Sequence, residues 1–269
     1  METIKIVYKI AEEFHWNKTF NKKGTKYWTI AQWIWIAVFK ILEKNIDYRD
    51  LEDRLRGWSD IRNILKLKRV PDYSTINRNL RKITKDMMDD INHILLLFLQ
   101  GDLSSISAED STWLKLDNRS SYFSKRSGKK RKFFVKLWLS VDINNLALYG
   151  FTTWLWPWND IKIWEQLKLL TKDKHIWVRL KDSWFDWGNN IEDVVPPIAR
   201  WWTIKSQERL ARKNEVSILK DCWLFGYRWM VETVYSVIKR KFTDNIREKL
   251  DSSRITISNL IALTYMVRL

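Results

Sequence analysis

Cysteine, histidine, proline and glycine are all scarce: one, three, four and seven of them in 269 residues. A single cysteine, Cys222, excludes an intramolecular disulfide and any zinc site built from cysteines. His15, His93 and His175 are too scattered for a histidine-rich metal site. A metal in this protein therefore has to be held by carboxylates, which favours Mg²⁺ or Mn²⁺. Long apolar runs are missing as well. The best, WIWIAVF at 33–39, stops at Lys40, far short of the roughly 18 residues a membrane-spanning helix needs. The first residues, METIKIVYKIAEEFHW, carry acids where a signal peptide has its apolar core.

Positive charge is plentiful. The formal net charge is +16 and the sequence pI about 9.8. Such an excess points to a polyanionic partner, with nucleic acid the first candidate. A membrane surface is second by charge alone; with no spanning run, membrane is left out of the expected partners. Hydrophobic residues make up 45% of the chain, so it folds. Its length suits one large domain or two smaller ones. Tryptophan is the oddity, at 18 residues. Trp stacks on bases, but that does not account for all of them, and the sequence explains no more of the excess.

From Trp28 to about Gln100 the signals are helical. TIAQWIWIAVFKILEKN is apolar nearly all round and should be buried. DYRDLEDRLRG offers Asp47 as an N-cap and Gly57 as a stop. SDIRNILKLK opens on a Ser-Asp cap signal. PDYSTINRNLRKI places Arg78, Arg81 and Lys82 together on a helix, either as a basic solvated face or as a helix meeting phosphates. A longer helix then runs through MMDDINHILLLFLQ to Gly101.

After Gly101 the texture changes to strands. LSSISAEDSTWLKL, FFVKLWLSVDI and LALYGFTTWLW read as three strands in a meander. Between the first two, KRSGKKRK at 125–132 looks like a hairpin tip or loop, and contains Lys129, Lys130, Arg131 and Lys132. NDIKIWEQLKLLTK is a helix capped by Asn159 or Asp160, HIWVRL a short buried strand, WGNNIEDVV a short helix and PPIARWW a last strand. The basic segment KSQERLARK leads to a helix over 221–242 and a final helix SNLIALTYMVR. A hairpin set followed by βαβ units gives a mixed α/β sheet flanked by helices. The break near Gly101 is the one plausible boundary, dividing a helical 1–101 from 102–269.

DCWLFGYRWMVETVYSVIKRKF, residues 221–242, is unusual for a surface helix. At about 100° per residue, Arg228, Glu232 and Lys239 fall within roughly 40° of one another, opposite Met230, Val231, Val234, Val237 and Ile238. On a plain solvated face this is an i,i+4 ion pair worth a few tenths of a kcal/mol. Two other acids suit strand ends. Asp110 sits late in the first strand, and Asp182 follows the fourth at its carboxyl end, where sites in open sheets lie. Three carboxylates of this kind can hold two Mg²⁺ ions about 3.5–4 Å apart for phosphodiester displacement. Each acid also has a plain reading: Asp110 as a strand-end turn residue, Asp182 as a cap, Glu232 as a salt-bridge partner.

From about Trp28 onward these motifs resemble a DDE-type insertion-sequence transposase, of the bacterial and archaeal group with a compact RNase H-like core. RVPDYSTINRNLRKI looks like the family's N-terminal helical segment, EDSTWLKL like its first-aspartate motif, and KKRKFFVKLWLSVDI like the basic strand pair that follows. LKDSWFDWGNN resembles the second-aspartate motif, with Phe185 in the aromatic place. FGYRWMVETVYSVIKRKF resembles the signature Tyr-x-x-Arg-x-x-x-Glu-x-x-x-x-x-x-Lys, which Arg228, Glu232 and Lys239 fit. The signature Tyr is Phe225 here, and Trp113 and Trp138 stand where the family more often has small or polar residues.

The resemblance implies an RNase H-like catalytic domain over 102–269, preceded by an all-α DNA-binding and assembly domain over 1–101. It implies Asp110, Asp182 and Glu232 as catalytic metal ligands for Mg²⁺ or Mn²⁺, with Arg228 and Lys239 on DNA phosphate. Arg78, Arg81, Lys82 and the four bases of 129–132 are the further DNA-binding candidates. The expected protein binds double-stranded element ends and target DNA as a homodimer, in the cytoplasm with the nucleoid. The expected reaction is strand cleavage and strand transfer. A nuclease on the same core that cleaves without joining, and an inactive copy that only binds DNA, stay open beside it.

Overall fold

A computed structural model describes residues 8, 12, 18–20, 27–116, 125–126, 134–155, 160–183, 193–197 and 207–269. Among the described residues five helices come first: α1 (Ile30–Leu42), α2 (Tyr48–Gly57), α3 (Ser59–Ile64), α4 (Tyr73–Leu80) and α5 (Lys85–Phe98). Then follow β1 (Ile106–Leu116), β2 (Phe134–Asp142), β3 (Leu148–Leu155), α6 (Asp160–Leu170), β4 (Val178–Leu180) and β5 (Asp193–Val194). The rest is α7 (Gln207–Asp221), α8 (Met230–Lys241), β6 (Asn245–Ile246) and α9 (Asp251–Arg268).

Local chemistry sets several helix starts. Thr29 and Gln32 form a reciprocal capping box at α1. Asp47 and Asp72 accept backbone N–H groups at the starts of α2 and α4. The Ser-Asp signal at 59–60 makes no cap: Ser59 is already helical, and Trp58 before it offers no side-chain acceptor. α4 ends at Leu80, so Arg81 is its C-cap and Lys82 lies beyond it.

The chain packs as two compact units, one of residues 1–91, 114–133 and 238–269, the other of 92–113 and 134–237. In the first, α1 is buried from Ala31 to Ile41, as an all-round apolar helix must be. It packs against α4 and α9. Lys40 lies within this apolar surround and pairs with Glu248 at 3.0 Å, with both side chains almost wholly buried. The Tyr48 ring lies 4.9 Å from the Lys40 ammonium. β6 pairs in parallel with the last residues of β1, Lys115 and Leu116.

The second unit is built on the sheet β3-β2-β1-β4-β5. β2 and β3 run antiparallel, β1, β4 and β5 parallel. With β6 this makes a mixed six-stranded α/β sheet flanked by helices, as the sequence implies. One face carries Trp138 against Ile163, Trp164 and Leu167 of α6, with Val195. On the other, Leu180 and Val194 meet Val216 of α7, with Ile106, Val178, Leu219 and Phe225 around them. Part of the tryptophan excess is thus core filling: Trp33, Trp35, Trp138 and Trp164 are buried, while Trp177, Trp223 and Trp229 are exposed.

Three further expectations change. Asp193 and Val194, the end of the segment read as a short helix, form a strand beside Arg179 and Leu180. The strand expected over PPIARWW is irregular at Pro196 and Pro197, and its remainder lies outside the described residues. The helix over 221–242 is two elements, a 3₁₀ turn Leu224–Trp229 and then α8. Trp223 interrupts it with a left-handed φ of 61°, a conformation that carries a cost for any residue but glycine.

Candidate functional site

β1 and β4 lie side by side with a constant register: Ile106 opposite Val178, Ser107 opposite Arg179, Ala108 opposite Leu180. Side chains alternate between faces along a strand. Continuing the same register sets Glu109 level with Lys181, and Asp110 level with Asp182. The first pair belongs to the α6 face and the second to the α7 face, the face that also carries Ile106, Val178 and Leu180. Asp182 stands two residues past the end of β4, and its carboxylate accepts the backbone N–H of Ser183 at 2.6 Å.

Glu232 comes from the first turn of α8. One turn further on, Tyr235 ties this helix to the sheet. Its hydroxyl donates to the Asp110 carbonyl, and the Leu137 carbonyl lies 3.3 Å away. Arg228, on the 3₁₀ turn, donates to Glu232 at 3.1 Å. The continuous helical stripe does not hold for Arg228, which precedes the helix, but the i,i+4 contact forms all the same. Lys239 follows Glu232 by seven residues, two turns or about 10.5 Å along the helix axis.

Asp110 feels the other two acids. Burial pushes the Asp110 carboxyl from 3.8 up to about 6; the charges of Asp182 and Glu232 add to the rise, and the Ser111 N–H and the Arg228 guanidinium oppose it. Among the described residues, no three or more His, Cys, Asp and Glu side chains stand at metal-binding spacing. Asp110, Asp182 and Glu232 are near enough to couple electrostatically, and Glu232 is paired with Arg228. As donors they offer only carboxylate oxygens, the set a hard divalent cation takes.

Phe225 packs on the Leu180–Val194–Val216 cluster. Trp138 belongs to the core of the α6 face. Trp113 stacks flat on Phe134 with ring centroids 4.3 Å apart. Arg78 and Arg81 are exposed at the carboxyl end of α4, where cations balance the helix dipole. Lys82 follows them, near the Phe20 ring. Lys129, Lys130, Arg131 and Lys132 lie outside the described residues.

Sequence reasoning passed over two features beside the acids. One is Tyr235. The other is a buried ion cluster on the α6 face. Glu109 accepts from Arg179, from the Ser140 hydroxyl at 3.0 Å and from the Trp164 indole at 3.1 Å. Lys181 lies 3.5 Å from Glu109 and 2.7 Å from Asp193. Its ammonium also sits over the Trp164 ring, and Arg179 reaches Thr171 at 2.9 Å. Burial alone would raise the Glu109 carboxyl; Lys181 and Arg179 hold it below the usual carboxylate range. The signal was present in SAED and VRLK, where charged residues alternate with apolar ones in strands too buried to be solvated.

Comparison of the chain with protein-family models, with curated proteins and with solved structures gives no match. Among the described residues, no helix is long and apolar enough to cross a membrane.

Proposed function

We propose that the protein is a DNA transposase of the DDE type, binding insertion-element ends and carrying out Mg²⁺-dependent strand cleavage and strand transfer on an RNase H-like core. The observation that carries this reading is the hydrogen bond of Tyr235 to the Asp110 carbonyl, which brings the helix of Glu232 to the strand of Asp110, beside the end of β4 that leads to Asp182. The three acids come from a strand, a strand end and a helix of a mixed sheet, in a chain of net charge +16. These three would hold Mg²⁺ or Mn²⁺. Such an ion, when bound, activates the attacking hydroxyl and steadies the leaving oxygen.

The chain's own residues do the rest. Tyr235 holds the start of α8 against β1, so that Glu232 stays near Asp110. At neutral pH Asp110 is largely ionised and able to bind a cation. Arg228 exchanges Glu232 for a DNA phosphate, and Lys239 meets the backbone further along. The nucleophile is first water, then a DNA 3′-hydroxyl. The helices of 1–101 with Arg78, Arg81 and Lys82, and the bases of 129–132, supply further phosphate contacts, and the protein works as a homodimer on DNA.

The Arg228–Glu232 pair, which occupies one of the three acids, favours a second reading, an inactive copy that only binds DNA. One assay separates them: labelled ends taken from the DNA flanking the gene, incubated with the protein, Mg²⁺ and a target plasmid. Joined product supports the transposase. Metal-dependent nicking without joining means a nuclease, and binding without nicking the inactive copy. Absence of binding overturns all three.

A further inference from the structure

We infer that Glu109 and Lys181 are positioning residues, which hold Asp110 and Asp182 level with each other across two strands. The inference rests on the reading of those two acids as part of one site. The backbone ladder between β1 and β4 ends at Ala108 and Leu180, two residues short of both acids. Past that point side chains join the strands. Glu109 contacts Lys181 at 3.5 Å and also holds Arg179. Lys181 turns its backbone the other way, its N–H donating to the Val194 carbonyl of β5 at 3.1 Å. Without the ionic bridge, the segment bearing Asp182 would answer to β5 alone.

The bridge is closed on all sides. Glu109, Arg179 and Lys181 are at most 2% exposed and Asp193 is 6% exposed. Two acids and two bases balance, and Ser140, Trp164 and Thr171 add further hydrogen bonds to them. An apolar filling of equal volume is often as stable as such a group or more so, which leaves fixing of register as its best-attested use. Register is what two acids on adjacent strands need: a slip of one residue sends one of them through to the other face.

The test measures proximity rather than chemistry. In a Cys222→Ser background, which removes the exposed native thiol, Asp110→Cys and Asp182→Cys are combined. Their bridging is followed with a reagent that fluoresces only when it joins two neighbouring thiols. The charge-balanced pair Glu109→Gln with Lys181→Met is then added. Folded protein should bridge roughly tenfold more slowly, since the rate follows how often the two groups are held together. Lys181→Arg keeps the charge and should restore most of the rate. Phe151→Leu, a core change on β3 two strands away, should leave it untouched. Equal rates with and without the ion bridge overturn the inference, as does an equal loss in Phe151→Leu. Should the double variant not fold, Ser140→Ala removes only one hydrogen bond to Glu109; a smaller slowing supports the inference and an unchanged rate overturns it. Mn²⁺ titration of the chain with its acids intact runs in parallel. Failure to bind Mn²⁺ counts against the proposed function, while the bridging rates still decide the positioning role.

Discussion

Asp110→Asn tests the site through stability. In the folded chain burial, reinforced by Asp182 and Glu232, lifts the Asp110 carboxyl from 3.8 to about 6. The folded state therefore holds this proton more tightly than the unfolded chain does. Below about pH 4 both states are protonated and there is no penalty. Between about 4 and 6 the folded state binds more protons, so stability falls as pH rises, and above about 6 the full penalty applies. A rise from 3.8 to about 6 corresponds to about 3 kcal/mol. Asn keeps the side-chain volume without the charge. At pH 7 the variant should be more stable than the wild type by up to about 3 kcal/mol, and near pH 4 the two should coincide. Urea melts from pH 4 to 8 measure this directly. Saturating Mg²⁺ should stabilise the wild type at pH 7 and leave the variant much less affected. Parallel pH profiles for the two proteins would refute the burial and coupling of Asp110, and with them the convergence of the three acids.

Glu232→Gln should lower strand cleavage and joining by several orders of magnitude while DNA binding persists; its stability should stay within about 0.5 kcal/mol of wild type, because the Arg228 pair is half exposed. Denaturant melts beside the end-joining assay check both. Replacing Lys129, Lys130, Arg131 and Lys132 by Ser should flatten the salt dependence of DNA binding by about 0.9 in slope for each phosphate no longer neutralised, read from binding titrations at several salt concentrations. Glu248→Ala strands the buried Lys40 ammonium, and urea melts should show a loss of about 3–5 kcal/mol.

Much of the fold was legible because its signals are local. Asp47 caps α2 where a cap was expected, and α1 is buried because no face of it is polar. The three long strands follow from runs of β-branched and aromatic residues. Short elements failed for want of period. β5 and β6 are two residues each, too brief for alternation to be read, and partner strands alone define them. The helix over 221–242 misled because its apolar spacing continues through the 3₁₀ turn, while the interruption is a backbone angle at Trp223. At the site, each acid could be placed on its element, but not its distance from the others. That depends on the β1–β4 register and on Tyr235, and both are contacts between residues far apart in the chain.

One strand of this protein carries two messages at alternate letters. Odd positions of β1 around Glu109 address the dry ion cluster, and even positions around Asp110 the candidate site. The strand can thus be read in one frame only. Deleting the one residue between Ala108 and Asp110, Glu109, would move Asp110 among Arg179 and Lys181 and leave Ser111 in its place at the candidate site. Substitutions here act one at a time; a length change of one acts on every letter downstream. Lineages of this chain should accordingly vary in length in its loops and hold the count constant from Ile106 to Asp110.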